Sequence, residues 1–351
     1  MLQFRRSIII GLTQSFDFSD FMESELRKLN FDVINIAYPD HVFRYKNSFQ
    51  RLQNLIRKLF LNDKHFKNRL KFKPFEKAIR GKLDDIVLAD YALIIRPDIY
   101  PREILKLIKM KSKIMVGYQW DGLERFKGVK NYIPLFDRFY AFDIVKQKHD
   151  SGIVALTNFY FENINIITSQ ESNSNNVFFV GSYCKARMTI INKCAEILNK
   201  KGFSVNFYLF ANRNAVELET VSPLIHFVSE AIKYDRYLQY LNDSKVLADF
   251  LNPVHNGLSF RIFEAIGYEK KLITTNKAVC NYDFFNPNNI FILENDNWDE
   301  LEQFMSLNYE PIPERIKRKY SFENWINYVL DINVAQDVPY KQEYGLTYGK
   351  A

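Results

Sequence analysis

The chain has no apolar run of about 18 residues, the length a membrane-spanning helix needs, so its sequence offers no candidate span. Cysteine is scarce: Cys184, Cys194 and Cys280 are the three among 351 residues. An odd number without metal-ligand spacing argues against a disulfide framework and reads as reduced thiols in a cytoplasmic protein. None of the five histidines pairs with another at helical metal spacing, so a zinc site is not expected. No Asp-x-Asp pair occurs, and no internal repeat of about 20 to 50 residues is present. Neither a metal nor a cofactor is therefore expected. Aromatic residues are abundant, at 16% with 31 Phe and 21 Tyr, a bias from which no chemistry is read.

At 351 residues the chain is long enough for two domains with separate cores. Its 47% hydrophobic and 25% charged fractions are those of a soluble globular protein. The opening Met-Leu-Gln-Phe-Arg-Arg-Ser-Ile-Ile-Ile-Gly has a short apolar part and no small-residue cleavage site, so it reads as a first β-strand rather than a signal peptide. The net charge of +7 is uneven: residues 41–82 carry 13 Lys or Arg against two acids, Asp63 and Glu76. Phe43, Phe49, Leu52, Leu55, Ile56, Leu59 and Phe60 recur there mostly at three- and four-residue steps, predicting a basic amphipathic helix or helix pair. That face is either a solvated basic surface or a docking surface for anionic lipid or a lipid-linked acceptor. No nucleic-acid module accompanies the charge, and nucleic acid is not expected as a partner.

Val/Ile-rich strands alternate with helical patterns, which predicts parallel α/β sheets. In the first half, strands are expected at 7–12, 31–37, 91–95, 113–118 and 138–142, with helices at 18–29 and 101–110. A polar, aperiodic stretch at 168–176 is the best linker. After it come strands at 177–180, 205–210, 246–251, 272–275 and 289–293, with helices at 185–199, 234–241 and 298–305. Gly202 suits the end of the helix before it. A final helix is expected within 311–333, and the tail 334–351 lacks periodicity.

The most informative stretch is Leu251-Asn-Pro-Val-His-Asn-Gly-Leu-Ser-Phe-Arg-Ile-Phe-Glu-Ala-Ile-Gly267, followed by Lys270-Lys-Leu-Ile-Thr-Thr-Asn276. It reads as strand, glycine-containing loop, helix and strand, with Arg261 and Glu264 three residues apart on one helix face. A helix start offers unpaired N–H groups and a partial positive charge, which suits a diphosphate. An arginine adds bidentate phosphate contact, and a nearby carboxylate accepts hydrogen bonds from ribose hydroxyls.

This block resembles the donor-binding motif of GT-B glycosyltransferases, especially the bacterial capsular, lipopolysaccharide and spore-coat maturation types with a Gly-Leu-x-Phe-Arg-x-Phe-Glu-Ala loop and helix. Many retaining members carry a second Glu eight positions before the ribose-binding one; here that position is Asn256. The resemblance implies two Rossmann-like domains facing each other across a cleft. An acceptor domain would span residues 1–167 and a nucleotide-sugar domain 177–310, with the segment 311–351 packing back on the first domain.

The implied donor site comprises Gly181, Ser182, Lys185, Arg187, Ala211, Asn212, Tyr234, Asn256, Gly257, Leu258, Ser259, Phe260, Arg261 and Glu264. Gly181 and Ser182 lie where a strand turns into a helix, a place that admits close backbone approach and phosphate. Asp121, after a buried strand ending Gln119-Trp120, is the candidate general base or acceptor-positioning group, and an Asp-Gly turn with no chemistry is its competitor. His255, in the donor loop, either touches the transferred sugar or caps the loop. Asp235 reads as a helix cap or a nucleobase neighbour.

The expected activity is transfer of a sugar, hexosyl or related, from a nucleotide diphosphate to a glycan or glycolipid acceptor. It would proceed without metal in surface-polysaccharide biosynthesis, in the cytoplasm or peripherally on the membrane's inner face. The competing readings are a non-catalytic glycan- or sugar-nucleotide-binding subunit and another GT-B activity such as a nucleotide-sugar epimerase.

Overall fold

The computed structural model describes residues 5–14, 17–40, 43, 45–60, 66–123, 127–142, 152–162, 164, 166, 175–211, 221–230, 232–254, 257–294 and 297–332. The chain divides into two compact units, Met1–Ala155 and Leu156–Ala351.

The first unit runs β1 (Arg6–Gly11), α1 (Phe18–Lys28), β2 (Phe31–Asn35), α2 (Ser48–Phe60), α3 (Phe66–Phe72), α4 (Glu76–Asp84), β3 (Ala89–Ile95), α5 (Arg102–Met110), β4 (Ser112–Gln119), β5 (Arg138–Ala141) and β6 (Val154–Ala155). All its strand pairs are parallel, in the order β2-β1-β3-β4-β5-β6. The central strands are buried on both faces, as Ile8, Ile9, Ile10, Leu93, Ile94, Met115 and Val116 attest. That double burial is why their sequences are unbroken apolar runs rather than alternating ones. Gly117 lies where a Cβ would come within 2.5 Å of the Phe139 ring, so no larger residue fits without moving it.

The second unit runs β7 (Asn176–Ser182), α6 (Met188–Lys200), β8 (Ser204–Phe210), β9 (Ile225–Val228), α7 (Tyr234–Asn242), β10 (Val246–Asp249), α8 (Phe260–Gly267), β11 (Lys271–Thr274), β12 (Ile290–Ile292), α9 (Glu300–Ser306), α10 (Glu314–Lys319) and α11 (Phe322–Leu330). Its sheet is again wholly parallel, in the order β12-β11-β10-β7-β8-β9. Counted from β7, this is the 3-2-1-4-5-6 doubly wound order. The chain winds outward through β8 and β9, then returns to the other side of β7 with β10. The reversal leaves a topological switch point between β7 and β10, where open α/β sheets hold ligands at the carboxyl ends of their strands.

Most expected elements form within a residue or two of their predicted bounds. The basic segment makes three helices, α2 to α4, rather than one or two. The expected helix within 311–333 is interrupted: α10 closes at Tyr320 and Ser321 caps α11, its hydroxyl accepting from the Asn324 N–H at 3.2 Å. The Glu162 carboxylate adds two more bonds at the start of α11, from the N–H groups of Phe322 and Glu323 at 2.8 and 2.9 Å. Trp325 donates its indole N–H to the Thr157 carbonyl at 3.0 Å. The last helix thus lies on residues 157–162, which precede β7 and belong to the same unit. Strands β9 and β6 were not anticipated; both are too short to show a period. The expected linker 168–176 falls mostly outside the described residues.

Candidate functional site

At the second unit's switch point, β10 ends in Asp249, a carboxylate buried at the end of a four-residue apolar strand. It collects three donors. Ser259 gives its hydroxyl at 2.7 Å, Arg261 its Nη1 at 2.9 Å and Thr274 its hydroxyl at 3.3 Å. Arg261 also donates through Nη2 to the Val180 carbonyl on β7. Ser259 gives its hydroxyl to Asp249 and does not cap α8. A helix start carries a partial positive charge.

Arg187 reaches the same place from the turn after β7. Its Nη1 donates to the Phe250 carbonyl at 2.7 Å and its Nη2 to the Ser182 carbonyl. Both guanidiniums lie over the Phe179 ring, with Arg187 at 5.5 Å and Arg261 at 5.0 Å from its centroid. Burial, and then the facing charge of Arg261, lower the pKa of Arg187 from its ordinary value. The Nε atoms of both arginines are buried and without hydrogen-bond partners; a buried unpaired donor of this kind costs on the order of 1–3 kcal/mol. Asp249 pairs directly with Arg261 and acts on Arg187 through its charge alone, so two guanidiniums face one carboxylate at the strand ends.

Gly181 is required here for a reason the sequence did not reveal. A Cβ on it would come within 2.9 Å of the Phe179 ring and 3.0 Å of the Arg187 Nη2. The glycine lets Arg187 and the Phe179 ring pack under the turn.

One turn along α8, Glu264 is buried and accepts from both tyrosines of the α7 start: Tyr237 at Oε2, and Tyr234 at Oε1 from 3.4 Å. The two rings stack at 5.7 Å. Burial raises the Glu264 pKa to about 6 against the lowering effects of Tyr237, Arg261 and Tyr234. Arg261 and Glu264 therefore feel each other's charge but are held by different neighbours.

The remaining expected donor residues divide. Leu258 is buried in the core beside Ile262 and Phe263, and its carbonyl accepts from Asn158 at 3.0 Å. Phe260 meets Phe159 edge-on at 5.2 Å. Gly257 offers its carbonyl to Asn276 at 3.2 Å. These three shape the loop. Ser182, the last residue of β7, and Lys185 in the turn after it are exposed, and Ala211 is buried just past β8. Asn212, His255 and Asn256 lie outside the described residues. Asp235 is exposed and accepts from the N–H of Arg236 at 2.7 Å, while Lys233 occupies the cap position of α7. Asp249 and Phe179 were missed by sequence reasoning; a charge closing an apolar strand just before the loop was the available signal for Asp249.

The first unit has its own switch point, between β1 and β3. Arg96, just past β3, adopts a left-handed backbone at φ 58°, an unusual conformation for an arginine. Its side chain grips Asp98 through Nε at 3.0 Å and Nη2 at 2.7 Å, and Asp121 through Nη1 at 3.2 Å. Burial opposes the charge on Arg96, but Asp98, with Asp121 and Asp40, outweighs it and raises the pKa. Gln119, two residues before Asp121, is fully buried with neither amide atom hydrogen-bonded. Trp120 meets Phe18 edge-on at 5.6 Å. Asp121 is therefore brought to the carboxyl edge of its sheet as expected, and Arg96 is the partner that sequence reasoning did not find.

Among the described residues no group of three or more His, Cys, Asp or Glu is placed to hold a metal ion, and no helix is long and apolar enough to cross a membrane.

No family model matches the chain, and no curated protein matches its sequence. Solved structures do match. An alpha-glucosyltransferase in complex with UDP-glucose and DNA containing an abasic site is similar at TM-score 0.53 and 11% identity, over 94% of each chain. A UDP-forming α,α-trehalose-phosphate synthase from Burkholderia xenovorans is similar at TM-score 0.52 and 9% identity, over 95% of this chain and 100% of that one. At such identities the likeness establishes the fold: two parallel six-stranded α/β units of the GT-B glycosyltransferase type.

Proposed function

We propose that the chain is a glycosyltransferase that takes a sugar from a nucleoside diphosphate at the second unit's switch point. The observation that carries this reading is the Arg187–Arg261 pair, a buried and a part-buried guanidinium over the Phe179 ring, with Asp249 paired to Arg261. Departure of a nucleoside diphosphate develops negative charge, and preorganised cations stabilise that charge where water is excluded. The start of α8 adds its partial charge. Glu264, with spare lone pairs beyond those given to Tyr234 and Tyr237, accepts the ribose hydroxyls. With this much fixed positive charge, transfer needs no bound metal.

The first unit takes the acceptor, a glycan or lipid-linked glycan of surface-polysaccharide biosynthesis. Asp121 acts there as the base or positioning group, oriented by Arg96. The resemblance of the Gly257–Ala265 block to capsular and spore-coat transferases supports the polysaccharide role, and a lipid-linked acceptor puts the chain peripherally on the inner face of the membrane.

Calorimetry with UDP, GDP, CMP and dTDP tests the donor site, because one nucleotide is expected to bind and the others to bind weakly. Acceptor-dependent release of nucleoside diphosphate then separates a transferase from a binding subunit. A folded protein that binds none of the four nucleotides would refute the proposal.

A further inference from the structure

Among the described helices of comparable length, α2 is the one with none of its residues buried, all 13 of them at least partly exposed. Phe49 is 72% exposed, Leu59 66% and Phe60 79%, with Leu52, Leu55 and Ile56 about half exposed. At about 100° per residue, these six side chains fall within a single arc of about 140°, so they form one apolar face rather than scattered positions. The exposure is costly in water, and something must cover so large a patch.

The charge around it identifies what. Residues 45–60 and 66–75, which form α2, α3 and their flanks, hold eight lysines and arginines and no acid. Lys46, Arg51, Lys58, Lys67 and Lys73 are all exposed. Arg57 lies 4.7 Å over the Phe66 ring and Arg69 lies 5.8 Å from it, so α2 and α3 are joined through a cation-flanked aromatic ring. A groove of about 540 Å³ beside α2 is lined by Tyr45, Ser48, Arg51, Leu52, Asn54 and Leu55, hydrogen-bonding groups next to leucines. A second copy of this chain would bring the same positive charge to a self-complementary contact, which disfavours pairing. An anionic bilayer supplies both an apolar interior for the face and headgroup phosphates for the rim.

We propose that the first unit docks on anionic phospholipid membrane through α2, which lies in the interface with Phe49, Leu52, Ile56, Leu59 and Phe60 inserted below the headgroups. The surface deepens the reading of a lipid-linked acceptor and rests on it for its purpose. Vesicle binding and nucleotide binding are read separately on the same protein, so either can fail without the other.

The test is sedimentation of the full chain with vesicles of phosphatidylcholine and phosphatidylglycerol in equal parts, and with phosphatidylcholine alone. Binding is expected only to the mixed vesicles and weakens as salt rises. The double variant Leu52→Glu, Leu59→Glu should lower vesicle affinity by roughly tenfold or more. Val87→Glu, at an exposed apolar residue outside α2, should leave it unchanged. Since α2 buries nothing, the double variant should melt with wild type.

Three results overturn the proposal. The first is absence of binding to mixed vesicles at low salt. The second is undiminished binding by the double variant, which would put the membrane contact elsewhere than α2. The third is a wild-type dimer in light scattering that the double variant dissociates, which would make the occupant a second copy.

Discussion

The two switch points share parallel-strand geometry and differ in which charge predominates. In the second unit, two guanidiniums, Arg187 and Arg261, face Asp249, which pairs with Arg261 and acts on Arg187 through its charge alone. In the first, one guanidinium, Arg96, is shared by Asp98 and Asp121 and is further stabilised by Asp40. Parallel strands bring the carboxyl ends of β-strands and the starts of helices to one edge in both places. Strand geometry therefore makes a crevice, and the side chains that close each strand decide its sign. A positive crevice suits a diphosphate, whereas a crevice with surplus carboxylate suits a hydroxyl that must be oriented or deprotonated.

The sharpest way to break the comparison is at Asp121. If the first unit's surplus carboxylate does acid–base work, Asp121→Asn should cut turnover by about 10²- to 10⁴-fold while donor affinity stays unchanged. Steady-state kinetics beside calorimetry checks both halves. Unaltered turnover would reduce Asp121 to a partner that holds Arg96.

Next in size is Arg261→Ala, which removes charge-assisted bonds worth on the order of 1.5–3 kcal/mol and should weaken nucleotide binding by roughly 10- to 150-fold. Asp249 keeps the Ser259 and Thr274 hydroxyls, so the variant is expected to fold, as circular dichroism would verify. Equal affinity in a folded variant would remove the distinction between the two crevices.

A smaller effect separates function from stability at Glu264. Its folded pKa of about 6 lies above its ordinary 4.5. The unfolded chain therefore loses this proton first as pH rises. The stabilisation this group contributes is whole below pH 4.5 and is lost as pH rises through about 6. Above that, ionised Glu264 costs about 2 kcal/mol. Glu264→Gln should accordingly melt no lower than wild type at neutral pH, show a flatter stability profile between these pH values, and bind nucleosides less well while pyrophosphate binding holds. A lower melting temperature together with unchanged nucleoside affinity would make Glu264 a structural residue.

The smallest expected effect is none at all. EDTA should leave transfer unchanged, since the positive crevice supplies the charge that a metal would. Lost activity that magnesium or manganese restores would show that Arg187 and Arg261 are insufficient.

Much of the fold was legible because its signals are local. Apolar runs such as 89–95 and 246–249 record strands buried on both faces, and helical spacing in 188–200 records one apolar stripe. The glycine loop and the Arg261/Glu264 spacing were visible for the same reason: they lie within one strand, one loop and one helix turn. Less was legible where a short element carries no period, as in β9, or where one side chain decides, as Ser321 does in dividing the last helical stretch.

By itself, then, the sequence determined the two α/β halves, the strand–loop–helix of the candidate donor site and the basic amphipathic stretch. Only tertiary structure decided the doubly wound order that sets β7 beside β10, and with it the pairing of Arg187 with Arg261 over Phe179. It alone put Arg96 between Asp98 and Asp121, closed Glu264 between two tyrosines, and left the apolar face of α2 uncovered. The reason is physical: hydrophobic period and turn chemistry act between near neighbours in the chain, whereas the environment of a charge is set by whatever strand order folds against it.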